Sequence, residues 1–481
     1  MKKCLKTKPL LLLFTCGLLY SAAAEPQLSD YLANDLELKR LSLELKKTLL
    51  SAKSTSIDNG IDIQLSSGTA TFTFSENDSY VKFQPNAKMT VPQASNLTFS
   101  TSTKVTKSGQ EDETKVDDTK FSLSADIISG SLLTRKLNLK KADRQVLEAR
   151  RKLQDYALTS EINYYKQLRS LLDTSSSIIS AQRSMYDDTI DFEEIKAKGY
   201  DPRSTKYREA EMDVISDRRN VETKIHKLER DCAVFASKCN AEFKPGTLPK
   251  DFLPTEIPVV EGVDILSFDK ENYKKIESAK WNQEIAALGR KADKNFTLSA
   301  SAGYTIKNSD TKTSSDNEKE ASDTVDAGLQ ATFSGLSLGA GTSIPTSGES
   351  PVYTVTASIN PNKFRKLSIK KKQNQMNEQE EEIEIQAALN TYEEDVIDRQ
   401  RSLSDLYWTK QTNKESYEMY ISFAQDMKKN LDNGLITESE YLYAYANREL
   451  YRIKLLINDI DILIYNNEVK LLFCRDSELQ E

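Results

Sequence analysis

Histidine is nearly absent from this sequence: 481 residues contain one, His226. That removes His-built metal cages and most His-based acid–base pairs from consideration. Cysteine is also scarce, with five in all, and two of them, Cys4 and Cys16, fall in the extreme N-terminal segment. The remaining Cys232, Cys239 and Cys474 are odd in number, so no disulfide framework can be read from them. On one continuous helix Cys232 and Cys239 would lie about 10 Å apart along the axis, too far for a bridge, and both read as small buried residues. There is no glycine-rich phosphate loop, no Cys/His zinc spacing, and no nucleophile with a base in its neighbourhood. Glu378 and Glu380 to Glu382 form a solvated charge run, and His226 reads as a helix-surface residue. No enzyme chemistry, cofactor or metal is expected.

Long apolar runs are missing as well. The one candidate, Leu10 to Leu19, follows Lys2, Lys3, Lys6 and Lys8 and precedes Ala22-Ala23-Ala24. Positive, apolar and small residues in that order form a secretory signal peptide, assigned to residues 1–24. The run is too short to span a bilayer comfortably. Cys16 offers a lipoprotein alternative, which Thr15 before it does not favour. Beyond it no long apolar stretch remains, and with a mean hydropathy of −0.57 over the whole chain a helical membrane protein is excluded. A β-barrel is not excluded, because barrel strands alternate apolar and polar residues and leave little hydropathy signal. The net charge of −7 and a pI near 5.3 argue against nucleic-acid binding.

What is present is a duplication. Arg135-Lys136-Leu137-Asn138-Leu139-Lys140-Lys141 matches Arg365-Lys366-Leu367-Ser368-Ile369-Lys370-Lys371, each where strand-like sequence becomes helix-like. The order helix, strands, long helix, turn, helix occurs twice. The first repeat is assigned to residues 25–240, with strands at about 57–127 and a helical hairpin at about 131–238. The second is assigned to 263–475, with strands at about 295–361 and a hairpin at about 364–474. Between them, residues 241–262 carry Pro245, Pro249, Pro254 and Pro258 and read as an extended linker.

Neither rod, Arg135 to Gly199 nor Arg365 to Gly434, contains an internal glycine or proline. Their lengths would be roughly 95 and 105 Å, and such helices need continuous side-by-side packing. Tyr164, Leu171, Ile178, Met185 and Phe192 are spaced by seven, as are Leu158, Tyr165, Leu172, Ile179 and Tyr186. Val214, Val221, Leu228 and Phe235, and then Leu450, Ile457, Ile464 and Leu471, continue the pattern in the return helices. A seven-residue repeat imposes a left-handed supercoil, and two adjacent seams imply neighbours on a broad face. At the first turn Gly199 ends the rod, Asp201 is expected to cap the next helix, and Pro202 to sit at its first position. At the second, Gly434 ends the rod and Thr437 to Glu440 form a capping box.

Three segments alternate as strands do. Phe121, Leu123 and Ala125 share one face, and Phe296, Leu298, Ala300, Ala302, Tyr304 and Ile306 share another. Tyr353, Val355, Ala357 and Ile359 form the third. The opposite positions are mostly Ser, Thr and other small or polar residues, which suits lipid on one side and water on the other. A soluble sandwich with one buried face gives the same alternation. The charged stretches Lys107 to Asp118 and Lys307 to Asp323 read as long loops between strands, and four to eight strands are expected in the chain.

From about Gln27 to Phe473 the chain resembles the TolC-like outer-membrane efflux protein family. The stretch Tyr31-Leu32-Ala33-Asn34-Asp35-Leu36-Glu37-Leu38-Lys39 is similar to the family's first helix. Asn433-Gly434-Leu435-Ile436-Thr437-Glu438-Ser439-Glu440-Tyr441-Leu442 is similar to its second hairpin turn, with Ala444 at a usual alanine. Gly199 and Ala210 are similar to the first turn, with one extra residue between them. The resemblance implies a mainly α fold with β: a homotrimer whose chains close one transmembrane β-barrel, continued through the periplasm by an α-helical barrel. It implies a passive exit duct in a tripartite efflux or type I secretion system. The implied partners are a periplasmic adaptor, an inner-membrane pump or ABC exporter, and outer-membrane lipid. The hairpin tips, with Gly199, Asp201, Pro202, Gly434, Thr437 and Glu440, would form the periplasmic gate. Tyr443 stands where the family often has a second acid.

Both repeats place basic residues at the strand-to-helix junction: Arg135, Lys136 and Lys140, and Arg365, Lys366 and Lys370. A solvated face and contact with lipid head groups are the two readings. Two other classes share parts of this organisation. A periplasmic adaptor usually has one hairpin flanked by β segments, whereas this chain has two. A coiled-coil scaffold would have no use for alternating strands.

Overall fold

The computed structural model describes residues 25–74, 79–108, 114–241, 252–293, 296–307 and 322–476. The signal segment expected at residues 1–24, Cys16 included, lies outside them. Helices α1 (Glu25–Asn34) and α2 (Leu36–Asp58) lead into β1 (Asp62–Ser66), β2 (Thr71–Phe74), β3 (Ser79–Phe83), β4 (Asn86–Val91), β5 (Leu97–Ser108) and β6 (Thr114–Ile128). The first hairpin follows as α3 (Ser131–Ala197) and α4 (Thr205–Lys238). The second copy runs α5 (Lys274–Ala292), β7 (Phe296–Lys307), β8 (Thr324–Phe333), β9 (Leu336–Pro345), β10 (Val352–Ile359), α6 (Pro361–Asp432) and α7 (Glu438–Lys470). The chain divides into two compact units, each drawing on both repeats.

One unit, built from residues 44–150 and 275–389, holds the ten strands of the described residues in a single antiparallel sheet. The order is β1-β4-β5-β6-β7-β8-β9-β10, with β2 on β3 and β3 on the far end of β5. Ten strands among the described residues exceed the expected four to eight, because β1 to β4 are only four to six residues long, too short for their alternation to stand out. Residue Ile57, expected to open the strands, is instead in the last turn of α2. In the charged stretch Lys107 to Asp118, residues 107–108 and 114–118 are strand, with Lys107 paired to Thr114 and Thr106 to Lys115, while residues 109–113 lie outside the described residues. An ion pair between Lys104 and Asp118 at 3.6 Å offsets charge across the ladder. Where β6 turns into α3, a Cβ on Gly130 would meet the Ala292 carbonyl oxygen at 1.8 Å, so only glycine allows that corner. Pro361 opens α6, where its missing N–H is no loss.

The other unit, from the segments ending at Leu43, running Arg151–Lys274 and starting at Asn390, is helical. Its core is formed by the heptad seams. Tyr164, Leu171, Ile178 and Phe192, with Leu158, Tyr165 and Leu172, are buried, as are Val214, Val221, Leu228 and Phe235. Leu450, Ile457 and Ile464 are buried on α7, and each such side chain contributes about 1.5–3 kcal/mol. Buried polar groups punctuate α7: Asn413 donates to Asn458 at 2.7 Å, Lys410 meets Asp459 at 2.6 Å, and Arg183 donates to Asn447 at 3.3 Å. Such pairs fix register, since a slip would leave buried polar atoms unmatched. Within the linker, residues 242–251 lie outside the described chain, while Leu253 and Ile257 are buried in this core. Part of the linker is therefore packed chain rather than free spacer. Cys232 and Cys239 are buried and not joined.

Candidate functional site

The sheet has two chemically distinct faces, aligned strand by strand. Phe121 pairs with Tyr304, Tyr304 with Val325 and Val325 with Ile344. Ala125 likewise lines up with Ala300, Leu329, Ala340 and Val355. Because side chains alternate along a strand, these rows share one face. They are not covered: Leu329, Leu338 and Val355 are 49 %, 47 % and 81 % exposed. No second sheet packs over them among the described residues.

The opposite face is small and polar. Ser124, Ser301, Gly328, Gly341 and Thr354 form one row, and Asp126, Ser299, Gln330, Gly339 and Thr356 the next. The glycines leave room for neighbouring hydroxyls: a Cβ on Gly339 would sit 2.5 Å from Thr356 Oγ1, and one on Gly328 2.8 Å from Ser301 Oγ, so either hydroxyl would have to turn away. Strands β5 to β9 are ten to fifteen residues long.

At the first hairpin turn, Gly199 adopts φ +77°, the left-handed conformation that ends α3. Asp201 and Pro202 do not cap and open the next helix as expected. The Asp201 carboxylate accepts from the Arg203 N–H at 2.7 Å, closing a local turn that holds Pro202, and Ser204 is the N-cap of α4, accepting from Tyr207 N–H at 3.4 Å. The short-range Asx turn outcompetes a cap at Asp201.

At the second turn Gly434 has φ +69°. Thr437 and Glu440 form a reciprocal capping box, with Thr437 N–H donating to Glu440 Oε2 at 2.7 Å and Glu440 N–H to Thr437 Oγ1 at 3.4 Å. Tyr443 is half-buried, and its carbonyl accepts from Asn447 Nδ2 at 3.0 Å. Ala444 is fully buried. His226 is exposed and lies 3.2 Å from Glu229.

The basic residues at the strand-to-helix junctions do not act as one set. Arg135 Nε donates to the Asn59 carbonyl at 2.5 Å, Lys140 pairs with Glu284, and Lys370 pairs with Asp293. Lys136, Arg365 and Lys366 remain exposed. The acids on the second-repeat helix could not be matched to Lys140 from sequence, because they lie more than a hundred residues away.

Among the described residues no helix is long and apolar enough to cross a membrane, and no group of His, Cys, Asp and Glu could hold a metal ion.

No curated protein matches the sequence. The structure is similar to that of the Neisseria gonorrhoeae MtrE outer membrane channel, at 11 % identity and a TM-score of 0.45, over 94 % of this chain and 89 % of that one. It is similar to the outer membrane protein VceC of Vibrio cholerae, at 12 % identity and a TM-score of 0.42, over 94 % and 95 %. The Campylobacter jejuni CmeC outer membrane channel gives 11 % identity and a TM-score of 0.44, over 95 % and 88 %. Residues 28–257 match the TP096X N-terminal domain and residues 258–476 the TP096X C-terminal domain, so the two domains stand in order along nearly the whole sequence.

Proposed function

We propose that the chain is the subunit of an outer-membrane channel. Three copies close their sheets into one barrel in lipid, and the long helices continue as a periplasmic duct. The observation that carries this reading is the two-faced sheet: a continuous exposed apolar face backed by serine, threonine and glycine. In water such a face is a liability, whereas in a bilayer it is the barrel's outer wall. Strands of ten to fifteen residues are long enough, since about 9–11 tilted residues cross the hydrocarbon core. Only a closed barrel satisfies every edge there.

On this reading the chain gives passive exit in a tripartite efflux or type I secretion assembly. The tips meet a periplasmic adaptor, and an inner-membrane pump or ABC exporter supplies the energy. Lys136, Arg365 and Lys366 meet lipid head groups. Reversing those three charges is expected to lower insertion into anionic vesicles, and unchanged insertion contradicts that role.

Alternating cysteine substitutions along β9 test the barrel. Leu336→Cys, Leu338→Cys and Ala340→Cys should react with lipid-phase reagents, and Ser337→Cys, Gly341→Cys and Ser343→Cys with membrane-impermeant aqueous ones. Equal aqueous labelling at all six positions refutes a lipid-facing wall.

Glu440 sits at the tip with its carboxylate committed to the capping box. Glutamine keeps that geometry without the charge, whereas alanine loses both. If the charge gates, Glu440→Gln and Glu440→Ala should shift cation preference alike. If only alanine alters conductance, Glu440 is a cap and not a gate.

A further inference from the structure

The polar face of the sheet is not uniform in charge. Strand β6 runs from a loop at Thr114 towards α3, so each row of this face has a place between a loop end and a helix end. Asp126 and Asp62 stand in the two rows nearest the helices. Each is held by a neutral neighbour: Asn96 Nδ2 donates to Asp126 at 2.9 Å, and Gln64 Nε2 to Asp62 at 2.7 Å. From there towards the loops the rows turn positive. Lys88 on β4 pairs with Ser100, and Lys120 on β6 stands one row further out, between Ser102 and Thr305. Next come Lys104 and then Lys82 and Lys115, which flank Thr106.

These lysines form a ladder. On β5 the levels of Lys88, Lys120, Lys104 and Lys115 fall at residues 100, 102, 104 and 106. Two strand residues span about 7 Å, so the whole ladder is about 20 Å long. Salt screens a charge over roughly 8–10 Å, so the fields of successive lysines overlap. Their charge is little spent. Lys82, Lys88, Lys115 and Lys120 are exposed, and among the described residues only Lys104 of the five has an acid in reach, Asp118 at 3.6 Å. Lys82 lies 4.9 Å over the Tyr80 ring, which steadies the ammonium without neutralising it. Asp326 shares the row of Lys88 but stands four strands away, about 19 Å across the sheet. A lysine that served only solubility could stand on any strand of a wet face, yet β8, β9 and β10 hold none.

The geometry points to this ladder as an anion path along one side of the lumen, favouring small anionic solutes such as carboxylates and phosphates. The inference rests on the channel reading, which makes this face the wall of a water-filled passage, and it adds what passes by preference. Low-dielectric walls focus the field of such charges into the water and raise the local concentration of counter-ions. Lysine or arginine rows are one means by which pores recruit anions.

Reversal potentials across planar bilayers under a potassium chloride gradient test the ladder in the full-length oligomer, with Glu440 unaltered throughout. The wild type should prefer chloride to potassium. Lys88→Gln with Lys120→Gln should move the reversal potential towards that of potassium, and Lys88→Glu with Lys120→Glu should move it further. Lys88→Arg with Lys120→Arg keeps the charge and should stay with the wild type. Both side chains are exposed, so none of these variants disturbs a packed core. A wild type that prefers potassium overturns the proposal. So do glutamine and glutamate variants that reverse at the wild-type potential. Conducting oligomers with either result refute the ladder alone, whereas a wild type that never conducts refutes the channel reading beneath it.

Discussion

Leu329→Arg should remove most of the chain from the membrane-inserted, assembled form, whereas Gln330→Arg next to it should leave assembly close to normal. Leu329 is near the middle of β8, on the apolar face beside Ala300 and Ala340. If that face meets lipid, a guanidinium there costs about 2–4 kcal/mol near the bilayer midplane. The cost recurs in every copy of the ring, so small per-subunit losses compound into loss of assembly. Gln330 points the other way, toward Ser299 and Gly339, where a charge would remain in water. The pair is informative because both residues are exposed in the single chain. In a soluble protein both substitutions would fall within about 0.5 kcal/mol of neutral. The fraction of protein that resists dissociation in detergent at room temperature, together with urea unfolding in lipid, reads the difference. Equal effects would remove lipid from the apolar face.

The second large effect belongs to the helical unit. Tyr164 is fully buried on α3, with ring centroids 5.5 Å from Tyr31, 5.4 Å from Tyr165 and 5.3 Å from Phe235. These rings join α1, α3 and α4, so Tyr164→Ala opens a cavity where three helices meet. A loss of about 3–5 kcal/mol is expected in denaturant unfolding of the helical signal. The hydroxyl contributes nothing comparable. It is buried without a protein hydrogen-bond partner, and burial pushes the phenol above its ordinary range. Tyr164→Phe should therefore be neutral or stabilising, because it removes an unmatched polar atom while keeping the ring. If phenylalanine proved as costly as alanine, the hydroxyl would have a partner and the packing argument would be wrong.

The long rods could be read from the sequence because their cause is local. The absence of glycine and proline, interrupted at Gly199 and Gly434, marks where helices run and stop. Heptads at Tyr164 and Leu171 or at Ile457 and Ile464 identified the buried seams. The second turn was also legible, since Thr437 and Glu440 are three residues apart and bond to each other. The first turn was misread at Asp201 and Pro202, because two local hydrogen-bonding options compete there and the Asx turn takes Asp201, leaving Ser204 as the cap. Strands β1 to β4 were undercounted, since segments as short as Asn86–Val91 alternate over too few positions for the pattern to be distinguished from chance. The two ends of the stretch Lys107 to Asp118 look like loop on charge alone, although the pairing of Lys107 with Thr114 and the Lys104–Asp118 ion pair make them strand.

The rest depended on tertiary context. The apolar face at Phe121 and Leu123 was visible as alternation, but not that it stays uncovered. The junction lysines looked like one basic patch until Lys140 met Glu284 and Lys370 met Asp293. Leu43, Leu50 and Ile57 on α2 repeat every seven residues like the buried seams, yet all three are exposed. Only the structure separates a heptad already filled by its own chain from one left open.

Planar-bilayer recording on the purified, detergent-extracted oligomer tests the barrel most directly. Stable ion-conducting steps are expected, with a conductance that falls when neutral polymers small enough to enter the lumen are added. A homogeneous monomer that stays in aqueous solution and never produces a conductance step would contradict a lipid-facing sheet closed around water.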